Sequence, residues 1–369
     1  MKSLYLPNES SQTWLIPIRI RVFREDGSTT VLSTLLGETT TRIQIGEAAA
    51  TYKVNDLQMG FYRVKYRDPS ALSELGKRVS KKILPTEDRW GLQNDLYALV
   101  KSGNGLLEDY LDFLSNFAHE NAYLPIIGIV ENLLDAYMVM EGPKRDAISS
   151  QGRRLLETIL LQMGHEPRPN EKHITSILRD QILFPAVLWG SEAAEDFALG
   201  KFNSLMNGET LHPDLMKSIM QVGALRGSAE VFEWFDKRLN LTDSEHERMN
   251  ILMAMAKFSD KNLIEKALQY DLDKVPSRNQ FIPIVSMASN PYALPHLWDW
   301  YRDHRHALEG FHPLHYERVL AGIIPVCGLG KEEVVKAFFE DYVARYPRAT
   351  EAIELVLEKL EINARMRSR

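Results

Sequence analysis

Residues 51–66 read TYKVNDLQMGFYRVKY, and the organisation of the chain turns on them. Two β-rich runs with alternating polar and apolar residues flank a loop from Asn55 to Gly60, a pattern that favours short strands separated by a turn. Upstream, WLIPIRIRVF at 14–23 and STTVLSTLL at 28–36 bracket Asp26-Gly27. Asp-Gly supplies the positive φ angles of a tight connection, so these two runs are predicted to form a hairpin. TRIQI at 41–45, ATYKV at 50–54 and GFYRVKY at 60–66 add further expected strands. The set predicts a small antiparallel β-sandwich over residues 1–75.

Downstream the character changes. β-branched residues thin out after Pro69, and from Thr86 onward apolar residues recur at i, i+3, i+4 and i+7, the spacing of amphipathic helices. Residues 88–101, 105–118, 130–140 and 147–163 are the clearest early segments. Thr242 with Glu245, or alternatively Ser244 with Glu247, matches the capping box that opens a helix, here running to about Lys257. Pro213, Pro276, Pro283, Pro291, Pro295, Pro313, Pro325 and Pro347 punctuate the remainder, mostly where a helix begins or has just ended. About fourteen short helices are expected. Antiparallel pairs in such number stack into a curved solenoid or bowl of irregular HEAT or armadillo type, predicted over residues 76–369. The fold class is therefore mostly α, with a β-sandwich at its N-terminal end.

Composition narrows the function. The 369 residues are 44% hydrophobic and carry a net charge of -6, with an isoelectric point near 6.0. That leaves no cationic footprint for nucleic acid. The longest apolar stretches, Tyr123 to Val130 and Ile182 to Trp189, fall far short of the ~20 residues that cross a bilayer. The N-terminus lacks the charged-then-apolar pattern of a secretory signal. A single cysteine, Cys327, excludes an internal disulfide and suits a reducing compartment. The expected location is the cytoplasm, with no membrane and no nucleic-acid partner.

With these residues in view, a family resemblance can be stated. Asn55, Gly60, Phe61, Tyr62, Arg63, Val64 and Tyr66 resemble a β-sandwich segment of the aminopeptidase N type zinc exopeptidases, which include the endoplasmic-reticulum and puromycin-sensitive aminopeptidases. Asp88, Arg89, Leu92, Asn94, Asp95, Leu99 and Gly103 follow at a family-like distance and are similar to the segment that opens that family's helical domain. Trp14 to Ile18 resembles a sandwich strand with a W-x-I-P core, and 212–215, 244–260 and 286–300 resemble later helical stretches. The signature residues Trp14, Asn55, Gly60, Phe61, Tyr62, Arg63, Val64, Tyr66, Asp88, Arg89 and Asp95 are read as structural. Gly60 permits a turn or close approach; Phe61 and Arg63 should face away from Tyr62 and Val64. Arg63 is expected to reach a carboxylate in a bidentate pair, with Asp88 and Arg89 acting likewise at the first helix.

The family's zinc chemistry needs H-E-x-x-H and a further carboxylate, and the chain has no such motif. The nearest fragments are His119-Glu120-Asn121-Ala122-Tyr123 and His165-Glu166-Pro167-Arg168-Pro169, in which Tyr123 and Pro169 stand where the second histidine belongs. The G-x-M-E-N motif that the family uses for the substrate amine is also absent. His312 with His315, His304 with His306, and His165 with His173 lack a completing ligand. Cys327 has apolar neighbours, as small core cysteines do. Gly328-Leu329-Gly330-Lys331 is followed by Glu332, not Ser or Thr, and reads as a helix N-terminus, not a phosphate loop. Phe232, Trp234, Phe235, Trp298 and Trp300 sit at core spacing. No catalytic, cofactor or metal residue is expected in this chain, and zinc is expected in a catalytic domain outside it.

The resemblance implies the C-terminal part of a zinc aminopeptidase: a β-sandwich incomplete at its N-terminal edge, where only Leu4 to Leu6 lie upstream, plus the complete helical domain. In the family that domain covers the zinc site and restricts access to it. The implied partners are the parent's catalytic domain, in cis or as a separate chain, and a peptide in the concave face. Two alternatives are a stand-alone solenoid scaffold for a protein or peptide, and one half of a split aminopeptidase.

Overall fold

In the computed structural model, residues 14–46, 48–345 and 349–369 are described. Leu4 to Leu6 and Pro347 lie outside them. The chain divides into two compact units, one ending at Asn132 and one running from Leu133 to Arg369.

The first unit holds a three-stranded antiparallel sheet of order β2-β1-β3, formed by β1 (Ile16–Arg24), β2 (Thr29–Leu36) and β3 (Ala49–Val54). The expected hairpin is present, with Ile16 opposite Leu36 and Phe23 opposite Thr29. Gly27 adopts φ 83°, and Ser28 N–H donates to Asp26 Oδ1 at 2.9 Å, which is the turn chemistry an Asp-Gly pair provides. On the other side of β1, Ile20 lies opposite Val54 and Arg21 opposite Lys53.

Two expected strands are not formed. Residues 41–45 and 60–66 lie outside any ladder, so the described β-structure is a single layer of three strands. In 60–66 the alternation survives without pairing: Phe61, Arg63 and Lys65 are exposed while Tyr62, Val64 and Tyr66 are half-buried. Side chains replace the ladder, because Tyr66 Oη accepts from Val54 N–H at 2.9 Å and Lys65 Nζ donates to Asn104 O at 2.6 Å.

Helices α1 (Pro69–Ser80), α2 (Thr86–Ser102) and α3 (Leu107–Phe113) follow. Asp68 caps α1, accepting from Ser70 N–H, and Gly103 ends α2 with φ 70°. Helix α4 (Tyr123–Val139) carries the chain from the first unit into the second.

The second unit is entirely helical among its described residues. It comprises α5 (Gly142–Met163), α6 (His173–Leu188), α7 (Glu192–Met206), α8 (Met216–Leu225), α9 (Ala229–Leu241), α10 (Glu245–Met255), α11 (Lys261–Lys274), α12 (Phe281–Met287), α13 (Leu294–Glu309), α14 (Pro313–Cys327), α15 (Glu332–Arg345) and α16 (Thr350–Arg367). The described residues thus hold sixteen α-helices, against about fourteen expected. Of the two capping boxes open to the sequence, the structure takes Ser244 with Glu247: Glu247 N–H donates to Ser244 Oγ at 3.3 Å. Thr242 Oγ1 instead donates to the Glu247 carboxylate at 2.5 Å. Pro295 and Pro313 sit in first turns, whereas Pro325 lies inside α14.

Alternate helices pack in register: α6 on α8, α8 on α10, α10 on α12, α12 on α14, and α14 on α16. Polar rungs join successive layers. Ser259 Oγ donates to Leu225 O at 2.8 Å, and Asn290 Nδ2 donates to Ala256 O and Phe258 O at 2.9 and 2.8 Å. Asn363 Nδ2 donates to Pro325 O at 2.9 Å. Between the rungs, Phe232, Phe235, Phe258 and Trp298 are buried. Of the aromatic residues picked out by spacing, Phe232, Phe235 and Trp298 are core as expected, while Trp234 and Trp300 are half-buried.

Candidate functional site

Of the signature residues, Asn55, Arg63, Asp88 and Asp95 come together at a buried ionic junction within the first unit, where β1, β3 and the 55–66 segment meet α2. The cause is legible in the sheet register. Arg19, Arg21 and Lys53 alternate with apolar residues on one face, and Arg21 lies directly opposite Lys53. Like charges in that position repel, so burial of this face requires acidic partners.

Asp56 supplies one, meeting Arg21 Nε at 2.6 Å and Arg19 Nη2 at 3.2 Å. Asp88, in the first turn of α2, supplies another: its Oδ1 stands 3.3 Å from Lys53 Nζ with both side chains fully buried. This contact is an ion pair without the directionality of a hydrogen bond, since neither Asp88 oxygen has a hydrogen-bond partner among the described residues. Lys53 Nζ directs its bonds to Val54 O at 2.7 Å and Asn55 O at 3.1 Å. Burial lowers the Lys53 ammonium and raises the Asp88 carboxyl, each opposed by the charge of the other.

Asp95, two turns further along α2, meets Arg63 Nη1 at 3.3 Å. The expected Arg63–carboxylate tie exists, but through one contact rather than two. Burial pushes the Asp95 carboxyl up to about 6, against the opposing pull of Arg63. Arg89 makes the bidentate pair, with Glu120: Nε to Oε2 at 2.6 Å and Nη2 to Oε1 at 3.0 Å. Its Nη1 donates to Leu84 O at 2.6 Å. Burial raises the Glu120 carboxyl, but Arg89 and the N–H groups of Ala122 and Asn121 outweigh it and leave the group below its ordinary value. Asp88 and Arg89 are neighbours in sequence with different partners, because a helix turns adjacent residues about 100° apart.

The loop between the two β-rich runs is closed by one side chain. Asn55 adopts φ 62°, a left-handed conformation that Asn tolerates. Its Oδ1 accepts from Gly60 N–H at 2.7 Å and its Nδ2 donates to Gly60 O at 2.9 Å. A Cβ at Gly60 would fall 2.1 Å from the Tyr62 ring, so only glycine allows this approach. Trp14 and Phe61 lie outside the junction and are exposed, Phe61 at 91%. Sequence reasoning did not single out Arg19, Arg21, Lys53 or Asp56, to which the cross-strand row of three cations points, and met Glu120 only within the His119 fragment, not as the partner of Arg89.

The remaining candidates are occupied structurally. Glu120 belongs to Arg89, the His165 ring lies tilted against Phe197 with centroids 5.1 Å apart, and Glu166 pairs with Lys201. His315 stacks on Phe281 at 4.3 Å. Cys327 is buried, and burial pushes its thiol up to about 12. Gly330 N–H donates to Glu332 Oε1 at 2.7 Å, closing the α15 N-terminus. Among the described residues no group of His, Cys, Asp and Glu is arranged to hold a metal ion, and no helix is long and apolar enough to cross a membrane.

Comparison with known proteins gives this arrangement a family. The chain is 25% identical over 260 residues to the alanine/arginine aminopeptidase of Saccharomyces cerevisiae, covering 69% of this chain and 30% of that protein. Identity to the tricorn protease-interacting factor F2 of Thermoplasma acidophilum is 30% over 318 residues, covering 84% of this chain and 38% of that protein. The puromycin-sensitive aminopeptidase of Caenorhabditis elegans is 24% identical over 262 residues, covering 68% and 27%. The chain thus spans about a third of the length of the curated relatives it matches. Residues 51–362 match the ERAP1-like C-terminal domain, a span that takes in the 55–66 loop, the α2 carboxylates and nearly all of the helical layers, and the chain belongs to that family.

Proposed function

We propose that this chain is the non-catalytic C-terminal part of a zinc-dependent aminopeptidase, a parent that removes N-terminal residues from peptides. The observation that carries the proposal is the family match over residues 51–362, joined to relatives named as aminopeptidases that are about three times as long as their matched segments. The residues present do not fit the family's zinc: Glu120 is held by Arg89, and Tyr123 stands where a second histidine would be. In this reading the metal and the hydrolytic step reside in a catalytic domain of the same polypeptide, expected in the cytoplasm.

The functional boundary falls near residue 75, between an incomplete β-sandwich part, of which one three-stranded layer is described, and a helical part. The helical part is a HEAT-like solenoid that caps the active site and admits peptides to its concave face. Layered alternate helices, with polar rungs at three of the steps, support the solenoid assignment. A cap of this kind excludes water and folded substrates from the reacting centre. Within the first unit, the buried junction ties α2 to the sheet and the 55–66 segment through Lys53 with Asp88 and Arg63 with Asp95.

The test is the mass of the native polypeptide recognised by an antibody to the GFYRVKY segment in its source cell. A band of at least twice 42.3 kDa that copurifies with chelator-sensitive aminopeptidase activity is the expected result. A native band at 42.3 kDa without such activity overturns the proposal and leaves a peptide-binding scaffold, or one half of a split enzyme, in its place.

A further inference from the structure

Residues 164–172, GHEPRPNEK, join α5 to α6 and are held in place by a few side chains. Gly164 and Asn170 adopt φ 81° and 64°, and Pro167 and Pro169 between them each fix φ, which makes a stiff segment bounded by two turns. Arg179 of α6, fully buried, pins both ends of the loop. Its Nε donates to Gly164 O at 2.7 Å and its Nη2 to Met163 O at 3.3 Å, while Nη1 and Nη2 reach Glu171 Oε1 and Oε2 at 2.6 and 2.9 Å. The middle of the loop is anchored on α7 instead, where Glu166 pairs with Lys201 and the His165 ring rests against Phe197.

Among these anchors only His165 is of a type that changes charge near neutral pH. Its surroundings suit the neutral ring. Burial, and then the positive charge of Arg179, hold its imidazole below the ordinary value of 6.5. Lys201 Nζ lies 5.8 Å from the centroid of the same Phe197 ring, so a protonated His165 would bring a second cation to that ring. Neither carboxylate of the loop is free to answer the new charge, because Glu171 is bidentate on Arg179 and Glu166 is on Lys201. Arg168, whose Nη2 donates to Gln162 O at 3.4 Å, adds further positive charge, and His173 at the start of α6 faces Asp214 at 3.4 Å.

We propose that residues 164–172 form a proton-released flap: neutral His165 seats the loop on α7, and its protonation frees residues 165–170 while Arg179 keeps hold of Gly164 and Glu171 at the base. In the open flap the imidazole reaches water away from Arg179 and binds its proton more tightly. Acid therefore favours opening, so closure is fully present above pH 6.5 and weakens as pH falls below it. The inference does not depend on the function proposed above.

The experiment follows two signals in the 369-residue chain by NMR: the titration of the His165 ring, and the exchange of Glu171 N–H, which the closed loop bonds to Arg168 O at 3.2 Å. After correction for the intrinsic pH dependence of exchange, the protection of that amide should fall at least about threefold between about pH 8 and about pH 5, with the same midpoint as the ring. His165→Phe keeps an aromatic ring on Phe197 and removes the titration, so protection should be equal at both pH values. His165→Lys places a permanent cation there, and protection should be low at both. A wild-type protection that does not change with pH overturns the proposal, as does a fall that persists in His165→Phe. Should His165→Lys fail to fold, the wild-type ring decides by itself, and a titration midpoint at or above 6.5 overturns the proposal.

Discussion

Arg89 and Glu120 form the best-satisfied ion pair of the junction: two direct bonds, a third from Arg89 to Leu84 O, and two backbone N–H groups on Glu120 Oε1. Removing one member leaves the other charge buried, so Glu120→Ala should lower the unfolding free energy by about 3–5 kcal/mol, read as a shift in urea midpoint at constant slope. Asp95 acts in the opposite sense. Its folded value near 6 lies above the ordinary 3.8, so between these pH values the folded chain holds a proton that the unfolded chain releases. Its contribution is present below about pH 4 and is lost as pH rises through 6. Asp95→Asn should remove that downward slope from the stability profile between pH 4 and 6; a slope that persists would assign it to another group.

At the scale of elements, stacking depends on side chains that reach from one helical layer to the turn of the next. Asn290 is buried and bonds the carbonyl of Ala256, the C-cap of α10, which a helix C-terminus leaves without a partner, and that of Phe258 in the connection beyond. Asn290→Ala should cost about 1–3 kcal/mol, since both acceptors stay buried and lose their donor. Layers α7 and α8 meet closely enough that a Cβ at Gly223 would lie 2.5 Å from the Phe202 ring. Gly223→Ala should therefore destabilise by about 1–3 kcal/mol through overpacking, although alanine is the better helix former. A stabilised Gly223→Ala protein in thermal melts would show that this contact is looser than described.

At the scale of the whole molecule, Lys257 sets an alkaline slope. Buried with no carboxylate partner among the described residues, it donates to Ser286 O at 2.5 Å and Ser289 Oγ at 2.7 Å, and burial pulls its ammonium down to about 7. Between that value and 10.5 the unfolded chain binds the extra proton, so stability should rise with pH across this window and Lys257→Met should flatten the rise. Urea midpoints measured at three pH values above 7 decide it. Much of the architecture could be read from the residues alone: Asp26-Gly27 dictates a turn whatever surrounds it, and the 3.6 period from Thr86 onward dictates helices. The 55–66 motif, too, marks its family in the linear order of its residues. Its physical reason emerged only in three dimensions, where Asn55 closes the loop on Gly60 and the following run bonds through side chains instead of joining a ladder. The sequence determined local conformation and family because turn chemistry and apolar periodicity act over a few neighbouring residues. Only the tertiary structure decided which charges pair, that Arg89 takes Glu120 and Lys53 takes Asp88, because those partners lie about thirty residues apart and burial forces their pairing only once the sheet face is covered.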